Sequence, residues 1–197
     1  MGRSDIPYAQ RMAMQHRSDI VVNREHSAKI IMFCMSVAMY QTEGIGYKRL
    51  VIYSHHFKEL IDEFYADPEV KMAHVVHRMK QIGMPISGEI YAVEVPGLSR
   101  KEQQIHDHSM QAAQVAQFIG TIAANDVFGF AHVPLTRIAE RASELAKRYK
   151  KEGEQFLLDE MQKIGFPVVN GKVLAYMDED GNPIMPSRAK REGYPVE

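Results

Sequence analysis

Nine histidines, His16, His26, His55, His56, His74, His77, His106, His108 and His132, are the side chains of this sequence best suited to chemistry. Imidazole ligates divalent metals and exchanges protons near neutral pH. The densest grouping is His106-Asp107-His108. An adjacent histidine and aspartate can share a metal ion that activates water against a phosphate ester. Further side chains able to ligate such an ion are available upstream at His26, His55 or His56 and far downstream at Asp159. His74 and His77 stand three apart, on one helix face, with no carboxylate placed beside them.

The single cysteine, Cys34, excludes an intrachain disulfide and any cysteine-pair zinc site, and it suits a reducing compartment. It lies in an apolar run, where a thiol is buried and structural rather than nucleophilic. No glycine-rich phosphate cradle, Gly-x-x-x-x-Gly-Lys or Gly-x-Gly-x-x-Gly, occurs. No cofactor is assigned.

The histidine landmarks also recur. Glu25-His26-Ser27 returns as Asp107-His108-Ser109, and Glu43-Gly44-Ile45-Gly46-Tyr47 as Asp126-Val127-Phe128-Gly129-Phe130. Met79-Lys80-Gln81-Ile82-Gly83-Met84-Pro85 returns as Met161-Gln162-Lys163-Ile164-Gly165-Phe166-Pro167. Three landmarks in one order at nearly one spacing predict a tandem duplication. A site inherited from a single-copy ancestor should appear twice, and only His26/His108 and their neighbours do. Acid, histidine and serine in succession point in different directions on a helix, so helix capping with a first-turn negative charge is the cheaper explanation.

The elements that must position these residues follow from apolar spacing. A helix from about Asn23 to Gln41 carries Ile30, Ile31, Phe33, Cys34, Val37, Ala38 and Tyr40 on its core side. Gly44 and Gly46 end it, as glycine reaches the left-handed conformation that helix C-termini use. Lys48 to Tyr65 and Glu69 to Ile82 are two further helices, separated by Asp67-Pro68. Ile86 to Val93 is expected to be extended around Ser87-Gly88. The second unit repeats the order over Met110–Ala124, Pro134 to about Lys151, and Glu152–Ile164, and Val168 to Leu174 reads as a type I′ hairpin through Asn170-Gly171. The fold expected is mainly α, a tandem three-helix unit closed each time by a short β element. Its parts are an arm or short helix over 1–22, repeats over 23–95 and 101–185, a linker over 96–100, and a solvated tail over 186–197.

A net charge of −1 gives no overall attraction to nucleic acid or anionic membrane. Local cationic clusters, Lys48-Arg49 and Lys147-Arg148 with Lys150-Lys151, keep nucleic-acid contact open as an accessory role. The apolar run Ile30–Tyr40 is too short to span a bilayer, and the N-terminus carries no secretory pattern. The expected setting is cytoplasmic, without membrane. Two units of this size bury little alone, so they should pack together, and homodimerisation is compatible with that.

The recurring turns offer a binding edge: Glu43, Gly46, Tyr47, Lys48 and Arg49 in the first copy, Asp126, Gly129 and Phe130 in the second, with Tyr47 and Phe130 as aromatic anchors or core staples. The pattern Glu43-Gly44-Ile45-Gly46-Tyr47-Lys48-Arg49-Leu50, then an aromatic-rich helix and Ala66-Asp67-Pro68-Glu69, resembles small uncharacterised helical proteins of Firmicutes phages and prophages, mainly over residues 25–82. The second copy departs from it, with Ala131-His132 in place of Lys48-Arg49. The resemblance implies a mobile-element protein of an infected or lysogenic bacterium. Such a protein acts without catalysis by binding a host or phage protein, and inhibition of a defence system such as a CRISPR effector is one such role. The alternative is an enzyme similar to metal-dependent phosphohydrolases, using His26, His106, Asp107 and His108.

Overall fold

No glycine or proline interrupts the chain between Pro7 and Gly44. In the computed structural model this stretch is one continuous helix, α1, Tyr8–Glu43. The structure describes residues 8–84, 86 and 97–196. The break expected near Asn23 does not occur: the Asn23 side-chain amide donates to the Asp19 carbonyl one turn back, as a mid-helix residue does. Residues 8–22 are therefore the start of the first helix. After α1 come α2 (Tyr47–Ala66) and α3 (Pro68–Gln81). Then follow α4 (Arg100–Phe128), α5 (His132–Glu152) and α6 (Glu154–Lys163). A hairpin, β1 (Val168–Val169) with β2 (Lys172–Val173), and a short α7 (Pro186–Arg191) complete the described chain.

The second long helix starts ten residues before Met110, because Ser99 and Glu102 form a capping box. The Ser99 Oγ accepts from the Glu102 amide at 3.4 Å and a Glu102 carboxylate oxygen accepts from the Ser99 amide at 2.8 Å. Ser99 and Arg100, expected in a linker, are the cap and first residue of α4. This places Glu25-His26-Ser27 and Asp107-His108-Ser109 in helix interiors, against the capping expected of them. Ser27 Oγ donates to the Asn23 carbonyl and Ser109 Oγ to the Ile105 carbonyl, both at 2.8 Å and both one turn back.

Both halves end their third helix alike. The Met84 amide donates to the Met79 carbonyl at 2.9 Å, and the Phe166 amide to the Met161 carbonyl at 3.1 Å. Gly83 and Gly165 sit between at φ 78° and 97°, the left-handed residue that a helix C-terminus of this kind requires. The β1–β2 hairpin turns through Asn170 and Gly171, both at positive φ, as a type I′ turn does. The extended piece expected around Ser87-Gly88 lies outside the described residues.

Helix packing crosses between the halves. α1 lies along α4 and α5, and α4 lies along α1, α2 and α3, whereas α1 and α2 touch only slightly. α1 and α4 are parallel, since Asp19 pairs with Lys101 at 2.9 Å and, further along both, Met35 lies against Gly120. A side chain at Gly120 would collide with Met35 and with the Tyr53 hydroxyl, so glycine is what allows the two long helices to approach here. Cys34, Val37, Ala38, Met39, Leu50 and Tyr53 fill the core beside Ile119, Ala123, Leu135, Ile138 and Leu145. Tyr40, expected inward, is exposed.

The C-terminal segment is docked, not solvated. Ile184 and Ala189 are buried, Tyr176 packs on Tyr194 with ring centroids 4.9 Å apart, and the Tyr176 hydroxyl donates to the Pro195 carbonyl. Its few apolar residues lack helical period because they pack from a bend and a two-turn helix. Among the described residues no helix is long and apolar enough to cross a membrane.

Candidate functional site

The two inter-helix turns leave the molecule at the same end, because the parallel helices α1 and α4 both terminate there. Gly44 (φ 65°) and Gly129 (φ 69°) are the left-handed residues that follow each helix, with amides donating to Tyr40 and Asn125 carbonyls at 3.1 and 2.8 Å. Gly46, expected to share that role and to match Gly129, has φ −78° and is instead the N-cap of α2. The structural counterpart of Gly129 is thus Gly44, and that of Tyr47 is His132, each the first residue of its helix.

Across this end the halves meet through side chains. The Arg49 guanidinium carbon stands 4.8 Å from the centre of the Phe128 ring. Phe128 packs on Phe130 at 5.2 Å and stacks on Tyr53 at 6.2 Å. The Asn125 side-chain amide donates to the Phe130 carbonyl at 2.9 Å, which holds the turn that presents Phe130 half-buried. Arg49 and Lys48 are exposed, and Val133, beside His132 in the first turn of α5, is 64% exposed. Glu43 is largely covered and pairs with Arg137 of α5 at 3.0 Å, a tie between the first turn and the second half.

Tyr47 is not available as an anchor. It is buried, its ring meets Phe166 edge-on at 5.0 Å, and its hydroxyl donates to the Ile184 carbonyl at 3.2 Å. Removal from water pushes its phenol above the ordinary value. Asp126 likewise ties helices together, accepting from Arg78 of α3 and lying 3.2 Å from His56 Nε2 on α2. His56 Nδ1 is 3.4 Å from Glu59, so this histidine stands between two carboxylates, beside a shallow concavity of about 400 Å³ with Ile52 and Met177. Arg78 carries no sequence signal for this role, because its partner is on a helix 48 residues away.

The metal candidates are not brought together. His26 Nε2 lies 3.1 Å from the Tyr149 hydroxyl, Asp107 accepts from the Gln103 amide at 2.8 Å, and His108 lines a small cavity with Arg24, Phe64 and Tyr65. His106, Asp107 and His108 follow one another within α4. Among the described residues no three histidine, cysteine, aspartate or glutamate side chains converge on a metal position. Cys34 is buried, which pushes its thiol up to about 12 and leaves it protonated.

The cationic clusters lie at opposite ends of α5. Lys48-Arg49 belong to the turn end, and Lys147–Lys151 lie at the far C-terminus of a helix about 30 Å long. There Arg148 is engaged by Glu152 at 2.8 Å and stacks over Phe156 at 4.2 Å.

A second concavity follows from the crossed packing. α1 is drawn to α4 and α5, and α2 to α4, so these sequence neighbours leave a groove of about 510 Å³ between them. Ala28, Met32, Phe57 and Ile61 form its floor, with Glu25, Lys29, Lys58 and Asp62 around it. No protein-family model, curated protein or solved structure matches the chain.

Proposed function

We propose that this is a non-enzymatic protein that binds a macromolecular partner through the end of the bundle where the two turns meet. The observation that carries the reading is the contact of Arg49 with Phe128 and of Phe128 with Phe130. It joins residues from both halves into one surface, cationic at Lys48 and Arg49 and apolar at Phe130 and Val133. Arginine and aromatic side chains on a rigid base are the composition of interface hot spots. A host or phage protein is the partner class that the resemblance to phage proteins suggests, with inhibition of bacterial defence in the host cytoplasm as the role. A metal-dependent phosphohydrolase has no such support, since no three candidate ligands converge among the described residues.

We also read the two halves as copies of one duplicated unit. Supporting this are the matched hydrogen bonds at Met84 and Phe166, the matched serine bonds at Ser27 and Ser109, and the crossed packing of parallel long helices. Such an origin predicts single-copy relatives that assemble as parallel two-fold dimers; relatives that lack one half yet remain folded monomers would contradict it.

The binding reading is tested by affinity enrichment from a bacterial host lysate, comparing the wild-type chain with an Arg49→Glu, Val133→Asp variant of unchanged thermal stability. The wild type should retain a partner that the variant loses. Equal retention by both, or no partner above the variant's background, would remove the reading. If the retained species is DNA or RNA and its retention falls steeply with salt, the nucleic-acid role replaces the protein partner.

A further inference from the structure

The groove between α1 and α2 is independent of the turn-end surface, and its outer edge complements itself. Val21, Glu25, Ala28 and Met32 follow one another at helical spacing along α1 and all border the groove or its extension towards Tyr65. Val21, on that extension, and Val22, the next residue of the helix, are apolar side chains exposed at 46% and 59%. Glu25 forms no ion pair among the described residues, and Lys29 stands one turn further along the same face. Lys29 shares its charge with Glu154 at 3.2 Å, a pair 38% and 47% exposed.

We infer that this groove is the self-association surface of the chain and that its occupant is α1 of a second copy, packed antiparallel across a two-fold axis. A two-fold interface requires one patch to complement itself, with residue i of one copy meeting j of the other and j meeting i. An antiparallel pairing centred level with Ser27 meets that condition. It sets Glu25 of each copy opposite Lys29 of the other, and Val22 of each opposite Met32 of the other. The apolar pair of one copy then enters the floor formed by Met32, Phe57 and Ile61 of its mate. Methionine on that floor adapts to a knob without a fixed shape. The chain thus supplies both the protruding and the receiving part, and the charge order selects the antiparallel direction.

Sedimentation of the full chain over a micromolar-to-submillimolar series tests this. The wild type should show a reversible monomer–dimer equilibrium. Val22→Glu, at an exposed position where the fold is spared, should weaken it at least tenfold. In a Glu154→Gln background, which removes the intrachain partner of Lys29, Glu25→Lys alone should weaken association and Glu25→Lys with Lys29→Glu should restore it. A wild type that stays monomeric throughout, or a dimer that Val22→Glu leaves intact, would overturn the inference. A dimer that Val22→Glu breaks but the charge exchange does not restore would overturn the antiparallel register.

Discussion

Gly165, at the end of α6, rests on Tyr47, the first residue of α2: a methyl group at Gly165 would lie 3.5 Å from Tyr47 Cβ. Gly83, at the end of α3, stands in the same relation to His132, the first residue of α5, at 3.8 Å. Each half therefore closes its third helix on the opening residue of the other half's second helix. With α1 and α4 parallel and covered by helices from the opposite half, neither half keeps a core of its own.

Positive φ, rather than these contacts, sets the cost of replacing the glycines. Gly165→Ala and Gly83→Ala each force a side chain into left-handed backbone and should destabilise by about 1–2 kcal/mol. Gly44→Ala and Gly129→Ala should behave alike for the same reason. Gly46→Ser, at an N-cap with extended backbone and open space around it, should stay within about 0.5 kcal/mol of wild type or gain stability. Urea denaturation of the five variants checks the split. A loss at Gly46 equal to that at Gly44 would refute the assignment of the two turns.

Tyr47 ties the docked C-terminal segment through its hydroxyl and the end of α6 through its ring. Tyr47→Phe removes the hydrogen bond to the Ile184 carbonyl and should cost about 1 kcal/mol. Tyr47→Ala also removes the contact with Phe166 and should cost about 3–5 kcal/mol. Hydrogen exchange read by mass spectrometry should quicken over residues 184–194 in Tyr47→Phe while α4 stays protected. A segment that exchanges fast already in the wild type would show that it is not held there.

The buried thiol gives the pH dependence a direction. Cys34 is raised from 9.0 to about 12 by burial, so between those values the folded thiol keeps its proton while the unfolded one loses it. Unfolding then releases a proton, and stability falls as pH rises from about 9 to about 12, at up to about 1.4 kcal/mol per pH unit. Below pH 9 this contribution is constant. The Tyr53 phenol, wholly buried and likewise raised, acts in the same direction. Cys34→Ala should therefore lose less stability than wild type between pH 9 and 11 in chemical denaturation. Parallel curves for the two proteins would contradict a buried, protonated thiol, as would labelling of the native protein by a thiol reagent at pH 8.

The apolar periods of Leu50, Tyr53 and Phe57, and of Leu135, Ile138 and Leu145, led directly to buried helix faces, because each contacts the core at helical spacing. Asn170-Gly171 led to its hairpin, since few residues tolerate two successive left-handed positions. The starts of α1 and α4 are less legible. Residues 8–22 lack an apolar stripe, and the first ten residues of α4, Arg100 to Ser109, are polar apart from Ile105 and so carry no apolar period. Pairings across the halves, such as Arg49 on Phe128 and Arg78 on Asp126, depend on helices folding past their sequence neighbours. The recurring turn motif aligned Gly46 with Gly129, whereas the backbone pairs Gly44 with it, since the functional identity of a turn glycine lies in its φ and not in its neighbours. Of the candidate binding edge, Lys48, Arg49 and Phe130 reach the surface, while Tyr47 and Glu43 serve the packing beneath it.

The binding account is tested most directly by placing a photo-crosslinking amino acid at Val133, exposed in the first turn of α5 three residues past Phe130, and at Glu144, exposed further along α5. Irradiated in a bacterial host, the Val133 position should yield a discrete adduct with one partner, lost on Arg49→Glu, while the Glu144 position yields none. Equal adducts from both positions, or none from Val133, would contradict a binding surface at the meeting of the two turns.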